Sequence, residues 1–365
     1  MSVIASFKRD IKNIFIDYVD NCSNVNMEIS SKLMKLLRYH RIEMILLDRP
    51  SFTFESNDDK DYIVCKSKDI LRQNMRFLNV VKSLNMNFNK KAIDYVLLKE
   101  CSMMSTYYKK KNHRYFADIS FLINEKDIEI VKSILHEDGY IQGEIINGKV
   151  VRASKREILF LRLQTHEIHP MVKIDNGNLE INLDINFKFS WVGFGISGDS
   201  LVTFEKIKEN TRYVNVLGVY VPMLNDVFQF IHLSCNIYNE SVFFALHKTG
   251  CDPHELLLSR VLDVFLIINT KPDIEKIYTY SKRMNCIFKI EYVLSLIKII
   301  VGVSYLHEFL KFFNIPCEFP NHFFLRNRKQ IEWPITVYQR LFDIESKKEA
   351  LRDLRERGYL EEFRI

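Results

Sequence analysis

Two acidic residues, each set in an alternating apolar run, are the side chains best placed to do chemistry. Between Ala117 and Asn124, the residues Ala117, Ile119, Phe121 and Ile123 are spaced to point one way, and Asp118, Ser120 and Asn124 the other. Between Leu179 and Lys188, the residues Leu179, Ile181, Leu183, Ile185 and Phe187 alternate with Glu180, Asn182, Asp184, Asn186 and Lys188. Neighbouring strands of this kind in one sheet place Asp118 and Asp184 on a shared surface. Carboxylates fixed over a sheet can hold Mg²⁺ or Mn²⁺, which neutralises phosphate oxygens and lowers the pKa of an attacking hydroxyl. Lys99 and Arg114 could hold the remaining charge of a triphosphate, with Lys109-Lys110-Lys111 as a steering loop. A solvated sheet face with ordinary surface acids has the same pattern.

The elements that must position these residues follow from periodicity. A short apolar run, Tyr95 to Leu98, leads into a helix-compatible segment from Glu100 to Tyr108 and a basic loop from Lys109 to Arg114. An amphipathic segment, Lys126 to His136, ends before Gly139. Asn147-Gly148 predicts a hairpin within Tyr140–Val151, and Asp175-Asn176-Gly177 separates two strand-like runs from His169 to Lys188. Upstream, Met27–Leu47 and Ser67–Leu84 read as helices, with Ser51–Asp61 a polar loop between them. Downstream of Pro222, Met223–Tyr238, His254–Ile268, Ile274–Met284, Cys286–Phe313 and Val337–Arg357 are all helix-patterned. The expected fold is α+β: an N-terminal helical segment (1–90), a mixed sheet with flanking helices (91–222) and a helical C-terminal half (223–365).

The other candidate motifs read as structural. His166 and His169 lack a third ligand, Cys251-Asp252-Pro253 reads as a helix entry, and Cys101 and Ser102 have no histidine nearby in sequence to activate them. Seven scattered cysteines without a CxxC pair predict reduced thiols and, with no signal-like N-terminus, a cytoplasmic location. Tyr292–Leu306 is interrupted by Lys298 and reads as a buried helix, so no membrane association is expected. A net charge of +6 suits an anionic nucleotide and is too small to argue for duplex DNA.

Residues 97–140 resemble the signature region of the uncharacterised bacterial nucleotidyltransferase family of the DNA polymerase β superfold. The matching residues are Leu98-Lys99-Glu100, Tyr107-Tyr108, Arg114, Asp118-Ile119-Ser120 and Gly139-Tyr140. His169-Pro170, Leu183 to Phe187, Asp226 with Ile231 to Cys235, and Leu258 to Val264 resemble later segments, so the likeness spans about residues 28–270. It implies a nucleotidyltransferase-like mixed sheet. It also implies catalytic, metal-holding Asp118 and Asp184, and a nucleotide-binding set of Lys99, Glu100, Cys101, Ser102, Arg114 and Ser120. The implied reaction moves a nucleoside monophosphate from Mg-NTP to a hydroxyl of a peptide, small molecule or RNA. Three positions depart from the pattern. Glu100 replaces a glycine, Ser120 replaces the second aspartate, and Asn186 replaces a histidine. These departures keep a rival open, a catalytically silent fold that binds a peptide or protein partner. A toxin that modifies tRNA is a third reading.

Overall fold

The structure, a computed structural model, describes residues 3–20, 26–47, 49–175, 179–189, 202–242, 256–325 and 329–359. It comprises two compact units. One contains residues 1–67, 233–282 and 286–365; the other contains residues 68–232 and 283–285. The divisions after residues 67 and 232 fall within helices.

In chain order the elements begin α1 (Val3–Asp20), β1 (Met27–Ile29), α2 (Ser31–Tyr39), β2 (Phe52–Phe54) and α3 (Asn57–Lys90). Then come β3 (Tyr95–Leu98), α4 (Lys99–Thr106), β4 (Ile119–Ile123), α5 (Ile128–Glu137), β5 (Ile141–Ile146), β6 (Lys149–Arg152) and α6 (Lys155–Gln164). Next are β7 (Met171–Ile174), β8 (Glu180–Asn186), α7 (Phe204–Lys208), β9 (Thr211–Val216), β10 (Val219–Leu224) and α8 (Asp226–Val242). The chain continues with α9 (Leu258–Asn269), α10 (Ile274–Arg283), α11 (Ile287–Val301), β11 (His322–Phe324), β12 (Gln330–Glu332), α12 (Val337–Phe342) and α13 (Ile344–Glu356).

The second unit holds a mixed sheet of eight strands in the order β6-β5-β7-β8-β4-β3-β10-β9. At its centre β4 runs antiparallel to β3 and parallel to β8. One face of the sheet carries Tyr95, Leu97, Ile119, Phe121, Leu183 and Ile185, and α3 shares that core through Phe77, Val81, Leu84 and Phe88. Those helix positions recur at intervals of three and four, one stripe of an amphipathic helix. Phe121 meets Tyr95 and Phe88 edge-on, with ring centroids 5.5 and 5.9 Å apart. Each such ring contributes about 2–3 kcal/mol by burial, plus roughly 1 kcal/mol from the edge-to-face geometry. The rigid sheet under the two aspartates rests on this packing.

The opposite face is not the solvated surface that alternation predicts. Val96, Leu98, Ser120, Leu122 and Asn186 are all buried there; Asp118, Asn182 and Asp184 are partly open, and Glu180 at the start of β8 is exposed. Leu122, an apolar residue in the polar register, is the sign that β4 is covered on both sides. Ala117 lies outside the strand and is exposed, so it does not share the face of Ile119.

The first unit contains the parallel β1–β2 pair, the β11–β12 hairpin and helices α1, α9 and α11, with α1 packed on the other two. Met27–Leu47 is not one helix. Met27–Ile29 pairs with Phe52–Phe54, and Ser30 caps α2 by accepting the Leu33 N–H. The predicted loop Ser51–Asp61 contains β2 and the start of α3, whose first turn carries Asp58 and Asp59. Acids there complement the helix dipole. Downstream, the predicted long helix from Cys286 stops at Gly302 (φ 99°), and the one from Val337 breaks at Asp343, which caps α13. Cys251-Asp252-Pro253 lies outside the described residues. No described helix is long and apolar enough to cross a membrane, and among the described residues Cys65, Cys101, Cys235, Cys286 and Cys317 are free thiols.

Candidate active site

The register of the central strands builds the site. Ser120 lies opposite Leu98 on β3 and opposite Asp184 on β8. Residues in register on neighbouring strands point to the same face, and Asp118, two residues before Ser120, points there too. The Ser120 hydroxyl therefore sits between the two acids, 3.5 Å from Asp118 Oδ2 and 3.5 Å from Asp184 Oδ2. The two carboxyl groups also act on each other, and one of them is favoured to hold a proton. That proton stays on Asp118. Burial and repulsion from Asp184 and Glu100 hold the Asp118 carboxyl well above its ordinary range. Burial also opposes charge on Asp184, but the Lys99 ammonium and hydrogen bonds from Asp118, Lys99 and Ser120 outweigh it and keep Asp184 ionised.

Lys99 is the first residue of α4, where β3 turns directly into helix. Its backbone is left-handed (φ 50°), a conformation that costs a non-glycine residue about 1 kcal/mol. Its Nζ lies 3.3 Å from Asp184 Oδ2, and both side chains are 16% exposed. Burial disfavours the ammonium, yet Asp184, Asp118, Glu167 and Glu100 together raise its pKa. Lys99 thus binds the acid pair rather than standing free for a triphosphate.

Arg114 is likewise engaged within the protein. It is buried; one guanidinium nitrogen donates to the Tyr115 carbonyl at 2.6 Å and another lies 3.4 Å from Glu100 Oε1. The anion at the start of α4 is thereby matched by an internal cation. The basic loop is held from below by Asn74, whose buried amide donates to the Lys111 and Arg114 carbonyls at 2.5 and 2.8 Å. The Cys101 and Ser102 side chains are each 1% exposed, and burial first, then Glu100 and Asp118, pushes the Cys101 thiol far up. Neither can contact a nucleotide through its side chain. What the first turn of α4 offers is backbone N–H groups that have no intrahelical acceptor.

Two residues that periodicity did not select feel the charges of this cluster. Glu167 bridges to Asn186 at the end of β8, and its pKa is raised to about 7 by burial and by repulsion from Asp184, against the pull of Lys99. The buried His232 on α8 is pushed down to about 4 by burial and by Lys99. Its place in a helix-like repeat of apolar residues gave no signal, because the partner that matters is distant in sequence.

The donor set suits one hard divalent cation. Two carboxylates and a hydroxyl converge, and Mg²⁺ is ordinarily held by one or two carboxylates with water and phosphate oxygens completing its shell. Among the described residues no group of three or more His, Cys, Asp or Glu side chains is arranged to hold a metal. Such an ion would be completed by the nucleotide it arrives with. Ser120, a neutral hydroxyl, cannot supply the carboxylate that would bridge a second ion.

Comparison with known proteins adds to this geometry. The family described as "Uncharacterised nucleotidyltransferase" matches residues 28–302. Among solved structures, an antigenic nucleotidyltransferase-like protein from Paracoccidioides brasiliensis is similar at 13% identity and a TM-score of 0.31, covering 66% of this chain and 97% of that one. No curated protein matches.

Proposed function

Because the chain belongs to the uncharacterised nucleotidyltransferase family, we propose that it transfers a nucleoside monophosphate from a divalent-cation complex of an NTP to an acceptor hydroxyl on a peptide, small molecule or RNA. The observation that carries this reading is the convergence of Asp118 and Asp184 on one Ser120 hydroxyl beside the first turn of α4. When bound, Mg²⁺ or Mn²⁺ supplies charge neutralisation at the phosphate oxygens. Asp118 and Asp184 would hold it. The α4 backbone N–H groups face the remaining phosphate charge, and Lys99 keeps Asp184 ionised. In the transfer, the acceptor oxygen bonds to the α-phosphorus as the bond to pyrophosphate breaks. The hydroxyl proton passes to a carboxylate of the Asp118–Asp184 pair. Positioning and charge account for the rate, as in other phosphoryl-type transfers.

A second reading, a silent member of the fold that binds a peptide or protein, draws on the Lys99–Asp184 ion pair, which already satisfies one of the two acids. Calorimetry with ATP, GTP, CTP and UTP, each with Mg²⁺, Mn²⁺ or chelator, separates the two. Cation-dependent binding that is lost in Asp118→Ala supports the transferase. No binding of any nucleotide with either cation rejects it in favour of the silent module. Incubation with radiolabelled CTP and total tRNA tests the toxin reading directly.

A further inference from the structure

We propose that the first unit carries a docking site for an extended acidic peptide, which adds as a third strand to the open edge of β2. The site is independent of the acid pair and of the transferase reading, since all its residues lie within 1–67. The parallel ladder decides which main-chain groups are left over. The Met27 N–H donates to the Ser51 carbonyl at 2.9 Å, and the Glu55 N–H donates to the Ile29 carbonyl at 3.1 Å. Met27 lies opposite Phe52, and Ile29 opposite Phe54. In a parallel pair such a residue bonds to the neighbours of its opposite number, not to that residue itself. The β2 groups facing β1 are therefore those of Ser51, Thr53 and Glu55, and those of Phe52 and Phe54 face away. The Phe52 N–H turns back to the Arg49 carbonyl at 3.2 Å. The Phe52 carbonyl and both main-chain groups of Phe54 then have no partner among the described residues. Groups of alternate residues along a strand edge are a template for another strand.

A groove of about 690 Å³ lies along this strand, a volume in the range of ligand sites. Leu46, Phe52 and Ile63 line it while 2%, 6% and 2% exposed, so they form its floor. On the α3 side, Asn57, Lys60 and Val64 line it at intervals of three and four and are all exposed, one stripe of the helix. A peptide paired with β2 alternates its side chains, one set onto the apolar floor and the other towards the rim. The rim is basic. Among the described residues that line the groove, Arg49 and Lys60 are charged and none is acidic. Arg49 is already matched by Asp17 at 3.5 Å and by the Tyr18 carbonyl at 3.2 Å. Lys60 is exposed, and its ammonium has no ion pair among the described residues, so it is the cation left to meet a carboxylate. An extended chain that alternates apolar and acidic residues satisfies the strand edge, the floor and the ammonium together.

The test uses the full chain with a fluorescein-labelled heptapeptide that alternates valine and glutamate, and with its valine–lysine counterpart. Fluorescence anisotropy should show the acidic peptide bound about tenfold more tightly than the basic one, and Lys60→Glu should erase that preference. Phe54→Pro removes the outward N–H but no bond to β1, while Phe54→Ala removes the ring and keeps the N–H. Phe54→Pro should therefore bind the acidic peptide about fivefold more weakly than Phe54→Ala. In the wild type that peptide should slow hydrogen exchange over residues 52–55. Equal binding of the two peptides overturns the proposal, as does no binding of the acidic one at about 1 mM, or equal binding by the two Phe54 variants. Sedimentation of the chain alone as a dimer that Phe54→Pro makes monomeric would assign the edge to a second copy of β2, and overturns it too. If Phe54→Pro fails to fold, Lys60→Glu and the wild-type exchange pattern still decide. The transferase reading stands or falls separately, on nucleotide binding.

Discussion

Removing the Lys99 ammonium is the sharpest probe of how the acid pair is held. Lys99→Ala removes the ammonium at 3.3 Å that keeps Asp184 ionised, so beside Asp118 and Glu167 its carboxyl must either stay charged without a partner or take up a proton. Breaking a fully buried pair costs about 3–5 kcal/mol. With both side chains 16% exposed, water recovers part of that, and we expect a loss of about 2–3 kcal/mol. The backbone separates from the charge in Lys99→Gly. Both variants lack the ammonium, but only glycine takes the left-handed φ of 50° without strain. Lys99→Gly should therefore be more stable than Lys99→Ala by about 1 kcal/mol. Charge is then tested by adding Asp184→Asn to Lys99→Ala, which removes the orphaned anion and should restore about 2 kcal/mol. Urea unfolding followed by circular dichroism gives the global value. Native-state hydrogen exchange at β4 and β8 assigns it to the sheet. If the single-variant costs simply add to within about 0.5 kcal/mol, Lys99 and Asp184 are not coupled and the account of the site is wrong.

Two further predictions concern stability. Glu43 is buried and its pKa is raised from 4.5 to about 7, by burial against the pull of its own backbone hydrogen bond, Arg38, Lys66 and Arg41. Between those two values the folded chain keeps a proton that the unfolded chain has released. Stability therefore falls as pH rises through this window, by at most about 3 kcal/mol. Glu43→Gln should flatten the melting temperature between pH 4 and pH 8 and raise it at the alkaline end; an unchanged profile would contradict the assignment. In the β5–β6 hairpin, a β-carbon on Gly143 would meet the Val151 carbonyl oxygen at 2.1 Å. Gly143→Ala should force β6 off the sheet edge, seen as faster hydrogen exchange over residues 149–152 with β4 and β8 still protected.

What the sequence disclosed was mostly local. Alternation in Leu179–Lys188, the Asn147-Gly148 turn and the amphipathic Lys126–His136 segment each name their own element, and β8, the β5–β6 hairpin and α5 follow them. The placement of Asp118 and Asp184 on one face was legible because a two-residue period fixes the side of a strand. The pairing of β1 with β2 was not, since short parallel strands leave no turn signature and a run such as Met27–Leu47 keeps apolar residues at helical spacing anyway. The surroundings of Arg114 were hidden for a related reason. A basic residue in a Lys-rich loop reads as solvated, and nothing local reveals that Asn74 clamps the loop and turns the guanidinium inward against Glu100. The left-handed backbone at Lys99 was equally silent, because glycine is the residue that would advertise it.

The charge balance of the site argues for a cation more strongly than the ligand geometry alone. Asp118, Asp184, Glu167 and Glu100 all act on Lys99, and Arg114 is paired with Glu100. Four carboxylates thus act on one ammonium, an excess of acid partly removed from water. A fold that needed only stability would have replaced such acids with apolar residues of similar volume, which is often neutral or stabilising. Here the chain instead tolerates the excess by keeping a proton on Asp118 and holding that of Glu167 near neutrality. Both protons are ones that a divalent ion, if bound there, would displace. Ser120 adds a neutral hydroxyl between the aspartates rather than a further acid, so the cluster's repulsion is no larger than these four carboxylates make it.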